Sequence, residues 1–354
     1  MPKQLWSWGS NSYGQLGLGN TANKSSPNQV GALTNWLSVS CGYQHTVSIK
    51  TDGTLWSWGR NNVGQLGLNN VTYYSSPKQV GALTNWLSVA CGYYHTASIK
   101  TDGTLWSWGW NSVGQLGQGN TTNYSSPKQV GALTNWLSVT CGTYYTVSIK
   151  TDGTLWSWGR NSNGQLGLGN TTNYSSPKQV GALTNWLSVA CGAYHTVSIK
   201  TDGTLWSWGF NNKGQLGLGN ITAYSSPKQV GSLTNWSSVS CGQSYTVSIK
   251  TDGTLWSWGR NNYGQLGLNN VTYYSSPKQV GALTNWSSVS CGYYHTVSIK
   301  TDGTLWSWGR NSNGRLGLGN ITYYSSPKQV GALTSWTKLF KGSQTSFTLA
   351  IKSS

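Results

Sequence analysis

The chain has 354 residues and a formal net charge of +17, because 23 lysines and arginines stand against six aspartates and no glutamate. General acid–base catalysis, glycoside hydrolysis and hard-metal binding all use carboxylates set close together, so this composition argues against an enzyme. Apolar runs are only a few residues long, so the sequence predicts no membrane-spanning helix. The abundance of tryptophan, tyrosine, threonine and valine, with no apolar residues at helical spacing, favours an all-β protein.

The sequence repeats every fifty residues. Leu-Trp-Ser-Trp-Gly at 55–59 returns at 105–109 and again in each later unit up to 305–309. The alternation of β-rich runs and turn residues within each unit predicts four short strands, at 55–59, 78–80, 86–90 and 95–100 in the first full copy. Four strands in fifty residues are typical of a propeller blade. We therefore predict a seven-bladed β-propeller of four-stranded antiparallel blades, forming a single domain over residues 1–354.

The segment from Lys50 to Leu55 contains Asp52-Gly53 between two β-rich runs, which predicts a two-residue hairpin turn. This hairpin occurs six times for seven units. The chain begins with the strand that follows the turn (5–9) and ends with the strand that precedes it (348–352). We therefore expect the N- and C-terminal strands to pair and close the ring, which removes free sheet edges.

Cysteine occurs once in each of six units, and Lys341 takes its place in the seventh. Equivalent cysteines in neighbouring blades are expected to lie too far apart for disulfides, and none shows the Cys-x-x-Cys spacing of a zinc site. Buried free thiols are expected, with no metal and no cofactor. Met1 to Gln4 lead directly into a strand without the apolar segment of a signal peptide, so we expect a cytoplasmic or virion-associated protein.

The aspartates and tryptophans occupy fixed positions in the repeat. All six aspartates lie in the Asp-Gly turns, where turn formation explains them. All but one of the 22 tryptophans lie at the positions of Trp56, Trp58 and Trp86, which predicts packing between blades. Trp110 is the exception and is therefore a candidate recognition residue.

The unit reads W-G-x-N-x-x-G-Q-L-G from Trp58, S-P-x-x-V from Ser76 and V-x-C-G-x-x-H-T from Val89. This pattern resembles the regulator of chromosome condensation repeat, and the resemblance covers the whole chain in seven copies. It implies a seven-bladed propeller with a binding role, which in this family ranges from guanine-nucleotide exchange on a small GTPase to inhibition of β-lactamase in bacteria. Exchange activity in the family is associated with acidic and histidine side chains on one face, whereas the acids here lie in turns. The nearly identical units look closer in style to bacterial or bacteriophage members.

The units differ in three places, at positions equivalent to 60–63, 69–74 and 93–95. With a two-residue turn, the antiparallel register pairs Ile49 with Trp56 and brings His45 beside Arg60, at the end opposite the Asp-Gly turns. The corresponding predicted contact ring consists of Arg60, Trp110, Arg160, Phe210, Arg260 and Arg310 together with His45, His95, Tyr145, His195, Tyr245 and His295. At the last junction, Phe347 is expected to approach Ser10.

Arginine with tyrosine and tryptophan is the composition of binding hot spots, so the sequence favours a non-catalytic scaffold whose partner is another protein. A glycan-binding lectin or virion adhesin is the alternative, as is a consensus-like or designed ring with no biological ligand. A further alternative is that the variable positions are unconstrained surface residues that have drifted after duplication of a blade, since such residues would also differ between units. Nucleic acid is less expected because the lysines are spread evenly around the ring. No membrane contact is expected, and the ring is expected to be monomeric.

Overall fold

A computed structural model describes residues 2–353 and shows seven four-stranded antiparallel sheets arranged in a ring. The predicted seven-bladed β-propeller is confirmed. Residues 2–353 contain no helix, and hence none long and apolar enough to cross a membrane.

The 28 strands follow the fifty-residue repeat. In chain order they are β1 (Lys3–Gly9), β2 (Lys24–Gln29), β3 (Trp36–Cys41), β4 (His45–Lys50), β5 (Leu55–Gly59), β6 (Tyr74–Gln79), β7 (Trp86–Cys91), β8 (His95–Lys100), β9 (Leu105–Gly109), β10 (Tyr124–Gln129), β11 (Trp136–Cys141), β12 (Tyr145–Lys150), β13 (Leu155–Gly159), β14 (Tyr174–Gln179), β15 (Trp186–Cys191), β16 (His195–Lys200), β17 (Leu205–Gly209), β18 (Tyr224–Gln229), β19 (Trp236–Cys241), β20 (Tyr245–Lys250), β21 (Leu255–Gly259), β22 (Tyr274–Gln279), β23 (Trp286–Cys291), β24 (His295–Lys300), β25 (Leu305–Gly309), β26 (Tyr324–Gln329), β27 (Trp336–Leu339) and β28 (Phe347–Ser353).

We number the blades from the first continuous one. Blade 1 consists of β3, β4, β5 and β6 from the ring axis outward, and blades 2 to 6 repeat this order with the following strands. Blade 7 combines both chain ends in the order β27, β28, β1 and β2. The strand predicted at 78–80 is longer than expected and begins at Tyr74 in the structure.

The closure of the ring is confirmed. β1 and β28 pair antiparallel over seven residue pairs, from Lys3 with Ser353 to Gly9 with Phe347. Ser10 N donates to Ser346 O at 3.3 Å, so Phe347 does lie beside Ser10 as expected. Both chain ends thus complete one blade, and neither leaves an open edge in the middle of the sheet.

The core consists of layers between neighbouring blades. In the layer between blades 1 and 2, Val47, Ile49 and Leu55 pack against Trp86 and Trp108, all of them almost fully buried. Every residue of β4 is buried because a neighbouring blade covers each face of this strand. Within blade 2, the Trp86 ring of the first strand meets the Trp108 ring of the third strand edge to face, with ring centroids 6.0 Å apart, and both rings face the side chains of blade 1.

The Asp-Gly turn is one residue longer than predicted. Lys50 N donates to Thr54 O and Gly53 N donates to Lys50 O, both at 3.0 Å, so three residues form the loop and only Gly53 has a positive φ, of 76°. Asp52 Oδ1 accepts hydrogen bonds from the backbone N and the hydroxyl of Thr54, which confirms its role in the turn. The longer loop shifts the register by one residue, so Ile49 pairs with Leu55 rather than with Trp56.

The six cysteines are free and buried, as expected. Burial raises the pKa of all six thiols, to about 12 for Cys91, Cys191 and Cys291. Because the thiolate is the reactive form, these side chains are chemically inert in the folded ring.

The Asp-Gly turn gives a stability prediction with a matched control. A Cβ on Gly53 would overlap the Thr84 carbonyl oxygen, whereas a Cβ on Gly81, at φ 61°, would meet no atom within 4 Å. We expect G81A to lower the free energy of unfolding by about 1 kcal/mol, the cost of the left-handed backbone alone. G53A is expected to cost about 3 kcal/mol, because backbone must also move. Chemical denaturation of both variants measures the difference, and equal losses would contradict the close approach of Gly53 to the Thr84 carbonyl.

Candidate functional site

The variable face is the end of the ring formed by residues 42–44, residues 60–73 and their equivalents in the other blades. These segments link the first to the second strand and the third to the fourth strand of a blade, so they share one end of each sheet. The Asp-Gly turns lie at the other end, which we call the turn face. The prediction that the variable positions meet opposite the Asp-Gly turns is therefore confirmed.

Arg60 connects three blades on the variable face. Its backbone N donates to the backbone oxygen of Gln44, and its Nη1 donates to the side-chain Oε1 of the same residue, both at 2.8 Å. Nη1 also donates to the hydroxyl of Tyr94 in blade 2 at 2.9 Å. The guanidinium carbon lies 4.8 Å from the Tyr94 ring centroid and 5.0 Å from that of Tyr13 in blade 7. Arg60 is thus held in place by aromatic and polar contacts rather than extended into solvent.

An aromatic cluster continues from blade 1 to blade 3. Tyr43 and Tyr93 stack with ring centroids 4.2 Å apart, and Tyr93 meets Tyr94 edge to face at 4.5 Å. Trp110 lies between Tyr94 and Tyr144, at 6.0 and 4.8 Å. The tryptophan outside the repeated positions is therefore the centre of a preformed aromatic surface.

The same pattern extends around the ring. Arg160 lies between Tyr144 and Tyr194, with its guanidinium carbon 5.8 and 5.3 Å from their centroids, and Phe210 meets Tyr194 edge to face at 6.5 Å. In blades 5 and 6, Arg260 donates to the Tyr294 hydroxyl at 3.1 Å, and Arg310 lies 5.1 Å from Tyr263. All six of the variable side chains that follow Trp-Gly in blades 1 to 6 are half-buried; they are Arg60, Trp110, Arg160, Phe210, Arg260 and Arg310.

The prediction that the histidine and tyrosine members of the contact ring lie on the surface is wrong. The side chains concerned are fully buried between blades; they are His45, His95, Tyr145, His195, Tyr245 and His295. The shifted register pairs His45 with Gly59 instead of Arg60. Its ring Nε2 lies 3.2 Å from the hydroxyl of Thr96 in blade 2, and the Tyr145 hydroxyl donates to the His195 carbonyl in the next blade. These residues link neighbouring blades and do not line the surface.

Burial governs the protonation of the histidines. It lowers the pKa of His45, His95 and His195 to about 3, and burial together with the nearby Arg315 holds the pKa of His295 well below its usual range. All four rings are therefore neutral at physiological pH. Among residues 2–353 no three histidine, cysteine or aspartate side chains are grouped as a metal site would require.

The arginines and the aspartates lie on opposite faces of the ring. All five arginines of the chain lie on the variable face, at 60, 160, 260, 310 and 315, whereas all six aspartates lie on the turn face. Hydrogen bonds from Thr54 lower the pKa of Asp52, and the same contact recurs in the other five turns. The carboxylates thus stay with their own turns, and the variable face is positively charged.

A cavity of about 310 Å³ lies on the ring axis. Each innermost strand contributes to its wall, through Ser40, Ala90, Thr140, Ala190, Ser240, Ser290 and Lys341. Lys341 is accessible to solvent but surrounded by protein, which lowers its pKa. The neutral lining of the other six blades offers no chemistry beyond that of small side chains.

Three residues of the variable face were missing from the predicted contact ring, although each stands out when the repeats are compared. Tyr13 and Tyr263 occupy the position of Val63, within the variable segment 60–63, and both contact arginines. Arg315 stands where each of the other six units has glutamine, so a charged residue occupies an otherwise invariant position of the loop.

The repeat profile described as "Regulator of chromosome condensation (RCC1) repeat" matches residues 4–49, 52–99, 102–149, 152–199, 202–249, 252–299 and 302–349. The chain belongs to the RCC1 repeat family. The seven matches coincide with the seven fifty-residue units, as the sequence resemblance implied.

Solved propellers share this fold at low sequence identity. Human WBSCR16 superposes with a TM-score of 0.88 at 22% identity, over 100% of both chains. Prp20p from Saccharomyces cerevisiae, whose structure was described with its binding properties to Gsp1p and histones, gives 0.88 at 22% identity over 100% of this chain and 92% of that one. Yeast RCC1 (Prp20) bound by Kap60 gives 0.89 at 21% identity over 100% and 90%.

These three structures come from human and yeast. The expectation of a bacterial or bacteriophage style is therefore not confirmed by them. At 21 to 22% identity the likeness extends to the fold alone.

The buried histidines predict how stability depends on pH. Their folded-state pKa values are lowered, so below about pH 6.5 the unfolded chain binds protons that the folded chain does not. Stability is complete above pH 6.5 and is lost as the pH falls towards 3. Between pH 6 and 5 we expect the free energy of unfolding to fall by about 5 kcal/mol, since each fully titrating histidine contributes about 1.4 kcal/mol per pH unit.

The control replaces each histidine with tyrosine, the residue that blades 3 and 5 carry at this position. In the quadruple variant H45Y/H95Y/H195Y/H295Y, denaturation at pH 6 and pH 5 is expected to give nearly the same free energy of unfolding. A pH slope as steep as that of the unchanged protein would contradict the assignment.

Proposed function

We propose that this protein is a non-catalytic binding module that recognises another protein through the variable face. The observation that supports this most directly is the half-buried arc of arginine, tyrosine, tryptophan and phenylalanine side chains that runs across the blades. Arginine and aromatic residues bury large areas and keep hydrogen-bonding capacity, so they contribute most of the energy in protein interfaces.

The contacts among these residues favour a built surface over unconstrained drift. Residues free to vary would be expected to be small, polar and separate, whereas Arg60, Trp110 and Arg160 each contact tyrosines of two blades. Each such cation–π contact is worth about 0.5–1 kcal/mol at an exposed site and restricts side-chain motion before any partner binds. A preorganised surface loses less conformational entropy on binding.

A protein partner agrees with the family. Prp20p and yeast RCC1 are described with the protein partners Gsp1p, histones and Kap60. The acidic residues associated with nucleotide exchange have no counterpart on this variable face, because all six carboxylate side chains lie on the turn face. We therefore assign a recognition role without an exchange step, carried out by a monomeric ring.

Glycan binding is a second candidate, and one observation favours it. Grooves of about 350 to 540 Å³ recur on the outer wall between neighbouring blades, each with two tryptophans, two leucines and a proline in its lining. In the groove at Trp86 and Trp106, however, Lys100 Nζ lies 3.8 Å from the Trp106 centroid and covers part of that ring. Retention on a glycan array with several equivalent weak sites per chain would support this candidate.

The proposed function is tested by comparing two variants in affinity capture from the source organism. The face variant removes the predicted contact side chains through R60S, W110S, R160S, F210S and R260S. The control variant removes exposed leucines of the turn face through L83S, L133S and L183S, whose side chains are 47 to 49% exposed.

Proteins that bind the unchanged ring and the control variant at high salt, but not the face variant, are the expected result. Circular dichroism and thermal melting establish that both variants are folded. Capture of the same proteins by all three rings would contradict the proposal.

A further inference from the structure

The junction between blades 6 and 7 contains a buried arginine that the equivalent loops of the other blades lack. Six of the seven loops between third and fourth strands carry glutamine at one position, and the loop of blade 6 carries Arg315. Arg315 is 3% exposed. Its Nη2 donates to the Ser312 hydroxyl at 3.1 Å, while its Nε has no hydrogen-bond partner within the described residues 2–353.

A second arginine from the same loop adds to this charge. Arg310 is half-buried and reaches solvent, and its guanidinium carbon lies 5.1 Å from the Tyr263 centroid and 5.7 Å from that of Tyr294. Its Nε is also buried and lacks a partner in the part of the chain that the structure describes. Burial, and then the proximity of Arg310, lower the pKa of Arg315 to about 10.

No carboxylate side chain neutralises this pair. The six aspartates lie in the Asp-Gly turns of the opposite face. The titratable groups that interact with the Arg315 charge are Arg310, His295 and the hydroxyls of Tyr43, Tyr263 and Tyr323, and none of them is a carboxylate. A buried charge without a counter-ion costs several kcal/mol. Glutamine amides at four equivalent positions also have an unpartnered Nε2, but these groups are neutral and their cost is much smaller.

We propose that Arg310 and Arg315 together bind a carboxylate, supplied by an aspartate or glutamate side chain of the protein partner. The inference rests on the proposed function and names one anchor of that interface. A carboxylate accepts two parallel hydrogen bonds from a guanidinium. Arg310 is the member of the pair that solvent and a partner can reach, and Arg315 lies beneath the surface. The bound anion supplies the counter-charge that the chain itself lacks.

The spacing of charges favours one oxyanion group over a nucleic-acid strand. Arg60, Arg160 and Arg260 belong to different blades, and each is engaged with tyrosine. Only at the junction of blades 6 and 7 do two arginines act on the same point. Binding along a phosphate backbone would need a continuous track of cations, which this face does not present.

The test uses R315Q, because glutamine occupies this position in the other six units and the variant is expected to fold. The probe is acetyl-tetraglutamate amide, titrated calorimetrically at low ionic strength into the unchanged protein and into R315Q. We expect R315Q to weaken binding at least tenfold. K178Q, which removes one exposed positive charge from the outer strand β14 and away from the variable face, is the matched control and is expected to change binding less than twofold.

Thermal melting supplies a second readout. Without the probe, R315Q is expected to melt at the same temperature as the unchanged protein or higher, because a buried charge without a counter-ion has been removed. A lower melting temperature would show that Arg315 is a structural residue and would overturn the proposal.

Equal affinity of R315Q and the unchanged protein for tetraglutamate, or no binding to either, would also overturn it. Inorganic phosphate, titrated in parallel, separates the anion classes: tenfold tighter binding of phosphate than of tetraglutamate would refute the choice of a carboxylate. If the face variant loses its captured proteins while R315Q leaves tetraglutamate binding unchanged, the proposed function stands and this anion site does not.

Discussion

The architecture depends on one contact that each blade makes with the loop of the blade before it. Trp58 Nε1 and the Thr46 hydroxyl both donate to the carbonyl oxygen of Gln15, at 2.9 and 2.8 Å. Gly17 permits this approach, since a Cβ there would lie 2.7 Å from Trp58 Nε1. The same tryptophan bond recurs at five further junctions. This contact uses only residues that the units share. It therefore holds the part of each loop around the glutamine in place, while the remaining loop residues are free to differ between blades.

The last junction departs from this rule. Arg315 takes the place of the glutamine, the Thr348 hydroxyl still donates to its carbonyl at 2.8 Å, and Trp8 Nε1 has no partner within residues 2–353. The sequence could show that Arg315 is the exceptional residue at its position. It could not show that the charge is isolated, because that requires knowing that the aspartates lie at the other end of every sheet.

Much of the fold follows from the sequence, because a fifty-residue period and a missing seventh hairpin determine both the blade number and the pairing of the chain ends. The register does not follow, since Asp-Gly suits a two-residue turn and also a three-residue loop with glycine in the left-handed conformation. The burial of His45 and Tyr145 could not be predicted from the sequence either. Their hydrogen-bond partners, Thr96 and His195, lie one repeat further along the chain, and the contact exists only once the blades are stacked.

The residues that the units share build the ring, and we propose that the variable face binds the partner. Hydroxyl-radical footprinting of the ring with a captured protein partner tests this most directly, because it reports on individual aromatic and aliphatic side chains. We expect reduced oxidation of Trp110, Phe210 and Tyr144 in the complex, with Leu83 and Leu133 on the turn face unchanged. Protection of the turn-face leucines, with Trp110 and Phe210 as reactive as in the free ring, would contradict it.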